Sequence, residues 1–257
     1  MAWLFPREHG AYGQLAFPLV AAIASGTPTP AALLLSLAFF AAFVAHEPVL
    51  ILTGQRGTRA RRDLEGDAVK TLVWAGATAL FDVAIAVALM PAGLRWTVLV
   101  PAAFALAALP MIVQRAQKSA FGEMHVALTL GSCALPAGVA AGLRPQEAAG
   151  CWFIMTLGFW AATLAVRATI ALQRREPSVL ARVAAAALAI GSPLLAMLMS
   201  DRFLLHPLLW SATLPLSTLA LVFAATPPSA RKLRSVGWSL VGASAAATIL
   251  LTALNRV

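Results

Sequence analysis

Long apolar runs separated by short polar segments set the pattern of this chain. About 20 helical residues cross a hydrocarbon core of ~30 Å, and nine runs approach that length. They lie at roughly 10–25, 31–52, 71–90, 96–113, 123–143, 148–172, 180–199, 205–225 and 236–254. The runs are continuous rather than alternating, which excludes transmembrane barrel strands and predicts α-helices. The expectation is an all-α, polytopic transmembrane bundle forming one domain over residues 1–257. The first run is short, and His46-Glu47-Pro48 interrupts the second. Pro6-Arg-Glu-His9 stands ahead of the first run, so a cleavable signal peptide is not expected and that run should remain in the protein.

Composition supports a membrane reading. Apolar residues make up 60% of the 257 positions and charged residues 11%, against about 25% charged in soluble chains. The net charge of +9 would suit nucleic acid if it were gathered on one surface. Here it is confined to the segments between apolar runs, so no nucleic-acid partner is expected and the positive-inside rule accounts for it. With the N-terminus cytoplasmic, 15 of the 19 basic residues fall inside and 4, namely Arg95, Arg144, Arg202 and Arg256, fall outside. The N-terminus is therefore expected inside and the C-terminus outside. Cys133 and Cys151 both lie in apolar runs and make neither a disulfide framework nor a metal cluster.

The densest charge is the segment 54–70, read as a loop, with Arg56, Arg59, Arg61, Arg62 and Lys70 set against Asp63, Glu65 and Asp67. One reading is an orientation anchor touching anionic headgroups. The other is a phosphate site, because guanidinium forks match phosphate oxygens in bidentate geometry. A thinner basic segment, Arg167 to Arg175, follows the sixth run as this one follows the second. Glu8-His9 opens the first run and Glu123-Met-His125 opens the fifth, which suggests a four-plus-four repeat of 8–114 and 123–226 with a final span.

Ionisable groups inside spans cost about 2.5–3.5 kcal/mol each on insertion scales, so each is a candidate site. They are Arg7-Glu8-His9, His46-Glu47, Asp82, Glu123 with His125, and Arg167. Buried ion pairs that tie helices together are the structural alternative. Glu8, His9, Glu123 and His125 are the candidate proton-handling residues, since His and carboxylate at one cavity mouth suit proton transfer near neutral pH. Arg7, Arg61, Arg62, Arg167, Arg174 and Glu47 are the candidate ligand-binding residues. No HxxxH or HExxH occurs, so no metal is assigned, and no Walker loop, GxGxxG or nucleophile elbow names a cofactor.

Pro6-Arg-Glu-His-Gly-Ala-Tyr12, followed by an apolar run with Pro18, resembles the opening signature of the YwiC-like family of bacterial membrane proteins. Glu123 and Arg167 also sit where that family carries polar residues. The resemblance implies the bacterial cytoplasmic membrane and no particular activity. More distantly, nine spans, a cytoplasmic N-terminus and polar motifs after the second and sixth spans are similar to the UbiA superfamily of intramembrane prenyltransferases. Arg62-Asp-Leu-Glu-Gly66 is similar to the first aspartate-rich motif of those enzymes, but Val166 to Glu176 contains no aspartate. That likeness implies membrane lipids as partners and an anionic amphiphile, of prenyl diphosphate or quinone-precursor type, as ligand in a cytoplasmic-side cavity. A small-solute or ion transporter using Glu47, Asp82 and Glu123, and a non-catalytic assembly factor for a respiratory complex, stand as alternatives.

Overall fold

The computed structural model describes residues 4–6, 8–203, 205–229 and 232–256. Arg7 lies outside the described residues, and His9 is described only through its backbone, as the first residue of α1. Among the described residues the chain is helical with no strand. The helices are α1 His9–Ser25, α2 Pro30–Leu52, α3 Thr58–Leu89, α4 Leu99–Val113, α5 Ala120–Ser132, α6 Ala134–Ala140, α7 Pro145–Gln173, α8 Val179–Phe203, α9 Leu214–Ala225 and α10 Leu233–Asn255. Six segments are long and apolar enough to cross a membrane: Pro30–Leu52, Thr58–Leu89, Ala92–Val113, Pro145–Gln173, Val179–Phe203 and Arg234–Asn255. Shorter apolar helices cover Gly10–Ser25 and Leu209–Ala225. This is an integral membrane protein.

Three boundaries differ from the sequence expectation, each for a local reason. The charged segment 54–70 is mostly helix, since α3 runs unbroken for 32 residues from Thr58. Arg, Ala, Leu, Glu and Lys are good helix formers, and Arg59 pairs with Asp63 one turn on at 3.5 Å. The fifth run is divided between α5 and α6 at Cys133. Pro136 has no N–H for the Ser132 carbonyl, and its ring crowds that position, so the helix breaks there. Conversely, α2 continues through His46-Glu47-Pro48 to Leu52. One carbonyl freed by proline is tolerated where protein surrounds it.

α7 is the central helix. Ile154, Met155, Leu157, Phe159, Ala161, Ala162 and Ala165 are all buried, and two-thirds of its spanning stretch is enclosed by the rest of the protein. Its small residues allow close packing, as at Gly158, where a Cβ would stand 2.6 Å from a Leu216 methyl of α9. α3 and α4 are peripheral. Val73, Trp74, Leu80, Phe81, Leu99 and Leu106 are more than half exposed on them, a surface that hydrocarbon would cover. α3 packs along α2, α4 packs on α5, and α3 and α4 barely touch each other.

Side-chain and turn contacts sort the helix ends into two groups. At one end Thr29 donates to the Ala140 carbonyl at 2.7 Å and Arg256 to the Ala24 carbonyl at 2.7 Å. At the other, Gln55 donates to the Ile112 carbonyl, Arg167 to the Lys118 carbonyl at 2.8 Å, and Gln173 to the Pro228 carbonyl at 3.0 Å. This second end holds the start of α1 and α5 together with the ends of α2, α4, α7 and α9, and most of the basic residues gather there.

Candidate functional site

The turn after α2 aims an arginine back at its own helix. Gly54 sits at φ 74°, a conformation that costs a side-chain-bearing residue energy and glycine none. Gln55 N–H reaches the Leu50 carbonyl at 2.8 Å and Gly54 N–H the Ile51 carbonyl at 3.0 Å, a Schellman closure of the helix. Gly57, at φ 94°, turns the chain again into α3. Arg56 between them donates through Nε to Glu47 Oε1 at 2.8 Å and through Nη2 to Glu47 Oε2 at 2.5 Å. The same Nη2 reaches Glu8 Oε1 at 2.8 Å. Glu47 is buried on α2 with its side chain 3% exposed, whereas Glu8, ahead of α1, is 44% exposed. Partial burial works to raise the Glu8 pKa, but the hydrogen bond and charge of Arg56 outweigh it and hold the carboxyl below its usual value. The Glu47 hydrogen bond in turn raises Arg56 above the ordinary arginine range. Tyr12 steadies the entry by donating to the Pro6 carbonyl at 3.1 Å and packing edge-on to Phe43.

A second pair repeats the arrangement. Glu123, in the first turn of α5, lies 3.0 Å from Arg167 near the end of α7. Both are about one-third exposed, and Arg167 also holds the Lys118 carbonyl. His125 stands between the rings of Phe104 and Phe121 and places Nε2 2.9 Å from the Phe104 carbonyl. A carbonyl can only accept, so Nε2 carries the hydrogen, and in the neutral ring Nδ1 is the acceptor.

Both pairs border one cavity of about 2070 Å³. Its walls are largely apolar, with Phe39, Phe43, Ala102, Ala105, Leu130 and Phe159 among them. Of the residues singled out from sequence, Glu8, His46, Arg56, Glu123, His125, Arg167 and Arg174 line it. Glu47 stands behind Arg56 and is not part of the wall. Arg61 and Arg62 are exposed on the first turns of α3, away from the cavity, and Arg62 pairs with Asp63 at 3.4 Å. Asp82 is buried on the stripe Ala68, Thr71, Ala75, Asp82, Ala86 of α3 and does not line the cavity. Among the described residues, no three His, Cys, Asp or Glu side chains come together as metal ligands.

Arg56 stands out in the sequence only as one member of the charged segment 54–70, and Arg115, Gln117, Lys118 and Arg234 are not site candidates there; all five line the cavity. For Arg56 a signal existed. Flanking glycines in Gly54-Gln-Arg-Gly57 mark a tight turn one step beyond a buried Glu47. The others depended on which helix ends meet, which no local pattern encodes.

A family model described as YwiC-like protein matches residues 5–140, that is 136 of the 257 residues. It covers α1 to α6, and so Glu8, Glu47, Arg56, Glu123 and His125, and ends before Arg167 and Arg174. No curated protein and no solved structure matches the chain.

Proposed function

The chain belongs to the YwiC-like family, and from that premise we propose that it is a membrane protein that takes an amphiphile with an acidic head into its intramembrane cavity. The observation that carries this reading is one cavity with apolar walls and a basic lip. Arg115, Lys118, Arg167, Arg174 and Arg234 stand at that lip beside Phe, Ala and Leu side chains able to cover a hydrocarbon tail. Ligand sites of this kind combine an apolar body with a few oriented polar groups. The loose junction between α3 and α4, whose Leu80, Val83, Pro101 and Ala105 all border the cavity, is a route for a lipid-borne molecule to enter sideways.

In this reading Arg167 and Arg174 hold the head. Glu8, Glu123 and His125 are placed for proton transfer, and Arg56 with Glu47 braces the entrance. Arg61 and Arg62 serve the bilayer headgroups from the exposed part of α3. The basic end faces the cytoplasm by the positive-inside rule. This reading shares with the UbiA likeness only an amphiphilic ligand with an acidic head, held here by arginines. The parallel pairs Glu8–Arg56 and Glu123–Arg167 are what a repeat of 8–114 and 123–226 would leave. Native mass spectrometry of the protein released from a mild detergent tests the reading. A small amphiphile should be retained by the wild type and lost from Arg167→Ala, and a clean apo mass for wild type prepared directly from membranes refutes it.

A further inference from the structure

The short turn between α4 and α5 is built with more care than a connector needs. Arg115 holds φ 56°, a left-handed conformation that non-glycine residues adopt at a cost. A single 3₁₀ turn, Ala116–Lys118, follows. Three contacts pin it. Ser119 N–H donates to the Ala116 carbonyl at 3.0 Å, Arg167 donates to the Lys118 carbonyl at 2.8 Å, and Gly122 brings the start of α5 against it. A Cβ at Gly122 would stand 2.5 Å from the Ala116 oxygen and 2.6 Å from the Gln117 oxygen. Gln117 lines the cavity, and its Nε2 is buried without a hydrogen-bond partner. A donor left so asks for an acceptor that the protein does not supply.

Charge points the same way. Arg56, Arg115, Lys118, Arg167, Arg174 and Arg234 line the cavity with Glu8, Glu123 and Glu176, six cations to three carboxylates. Glu123 is taken by Arg167. Among the described residues, Arg115, Lys118, Arg174 and Arg234 show no carboxylate within ion-pair distance. Several cations and an unanswered amide donor lining one cavity match a group with more charge and more acceptor oxygens than a carboxylate offers.

Resting on the amphiphile reading above, we propose that the Arg115–Lys118 turn, with Arg174 and Arg234, is a phosphoryl site, and that the ligand's head is a phosphate ester or diphosphate. The head would sit against the turn, and its tail would follow the apolar wall inward.

The full chain in nanodiscs of zwitterionic lipid is titrated with dodecyl phosphate, dodecanoate and inorganic phosphate, and binding is read by microscale thermophoresis. Dodecyl phosphate should bind at least about tenfold more tightly than dodecanoate, the scale of one or two extra charge-assisted hydrogen bonds. Lys118→Ala and Arg234→Ala should each reduce that preference, while Arg62→Ala leaves it unchanged. Inorganic phosphate binding as tightly as dodecyl phosphate, and lost with Lys118→Ala, supports the phosphoryl site but overturns the amphiphile reading. Equal affinity for dodecanoate and dodecyl phosphate overturns the phosphoryl site and leaves the amphiphile reading standing. The wild-type comparison of the two head groups needs no variant, so a misfolded substitution cannot obscure it.

Discussion

Arg56→Gln should be among the most destabilising substitutions at the basic end. The guanidinium makes two charge-assisted bonds to Glu47, at 2.8 and 2.5 Å, and one to Glu8 at 2.8 Å. These contacts are not equal. The Glu8 carboxyl is 44% exposed, and exposed pairs contribute roughly 0–1 kcal/mol. Glu47 is 3% exposed and Arg56 18%; breaking a buried pair from one side costs about 3–5 kcal/mol, because the remaining charge stays in a poor solvent. Glu47 keeps a further contact of its own, so a loss of about 2–3 kcal/mol is expected for Arg56→Gln, with Glu8→Gln below about 1 kcal/mol. Arg56→Lys should fall between them, since an ammonium cannot span both Glu47 oxygens as the fork does. The double variant Glu47→Gln/Arg56→Gln should lose less than the sum of the two single changes, because the only carboxylate it parts from Arg56 is the half-exposed Glu8. Reversible unfolding in mixed micelles with increasing dodecyl sulfate reads all five differences, that of the Glu47→Gln single variant included. An Arg56→Gln protein within 1 kcal/mol of wild type, or a Glu8→Gln protein as damaged as Arg56→Gln, would refute the view that the buried Glu47 contact dominates.

Two further outcomes follow from the same geometry. Glu8 has its carboxyl pKa held below the usual 4.5, so its share of stability is fully present above that value and fades as pH falls through the lower, folded one. Acid titration of the unfolding midpoint should show this loss below about pH 4.5 in wild type, diminished in Glu8→Gln; an unchanged profile in Glu8→Gln sinks the assignment. Gly122→Ala forces a Cβ to within 2.5 Å of one backbone oxygen and 2.6 Å of another, and should destabilise by about 1–3 kcal/mol through overpacking. Dodecyl phosphate binding should fall with it, and a Gly122→Ala protein with wild-type melting would show that the turn is not clamped against α5.

Run lengths were enough to reveal an all-helical membrane chain, because the cost of leaving peptide groups unpaired in hydrocarbon allows few solutions. The nine apolar runs all reappear as helical segments, although six reach spanning length. Helix breaks were harder to place, since a proline's effect depends on what surrounds the carbonyl it frees. Pro136 accompanies a break between α5 and α6, while Pro48 lies inside an unbroken α2. Charge in a polar segment likewise says little about its shape: the Arg-rich stretch has the composition of a loop, yet Thr58 already begins α3.

Glu8, Glu123, His125, Arg167 and Arg174 could be picked out from sequence because charge within apolar runs is expensive and therefore conspicuous. Which arginine meets which carboxylate could not. Arg61 and Arg62 stood out by density and lie on an exposed helix face, whereas Arg56 is turned by Gly54 onto Glu47. Arg115, Gln117, Lys118 and Arg234 face one cavity only because the segment after α4 and the start of α10 border the same space. Composition determines that such a chain belongs in lipid, since transfer free energy sums over residues whatever their order in space. A binding site depends on distances between residues far apart in the chain, and only the packed helices decide those.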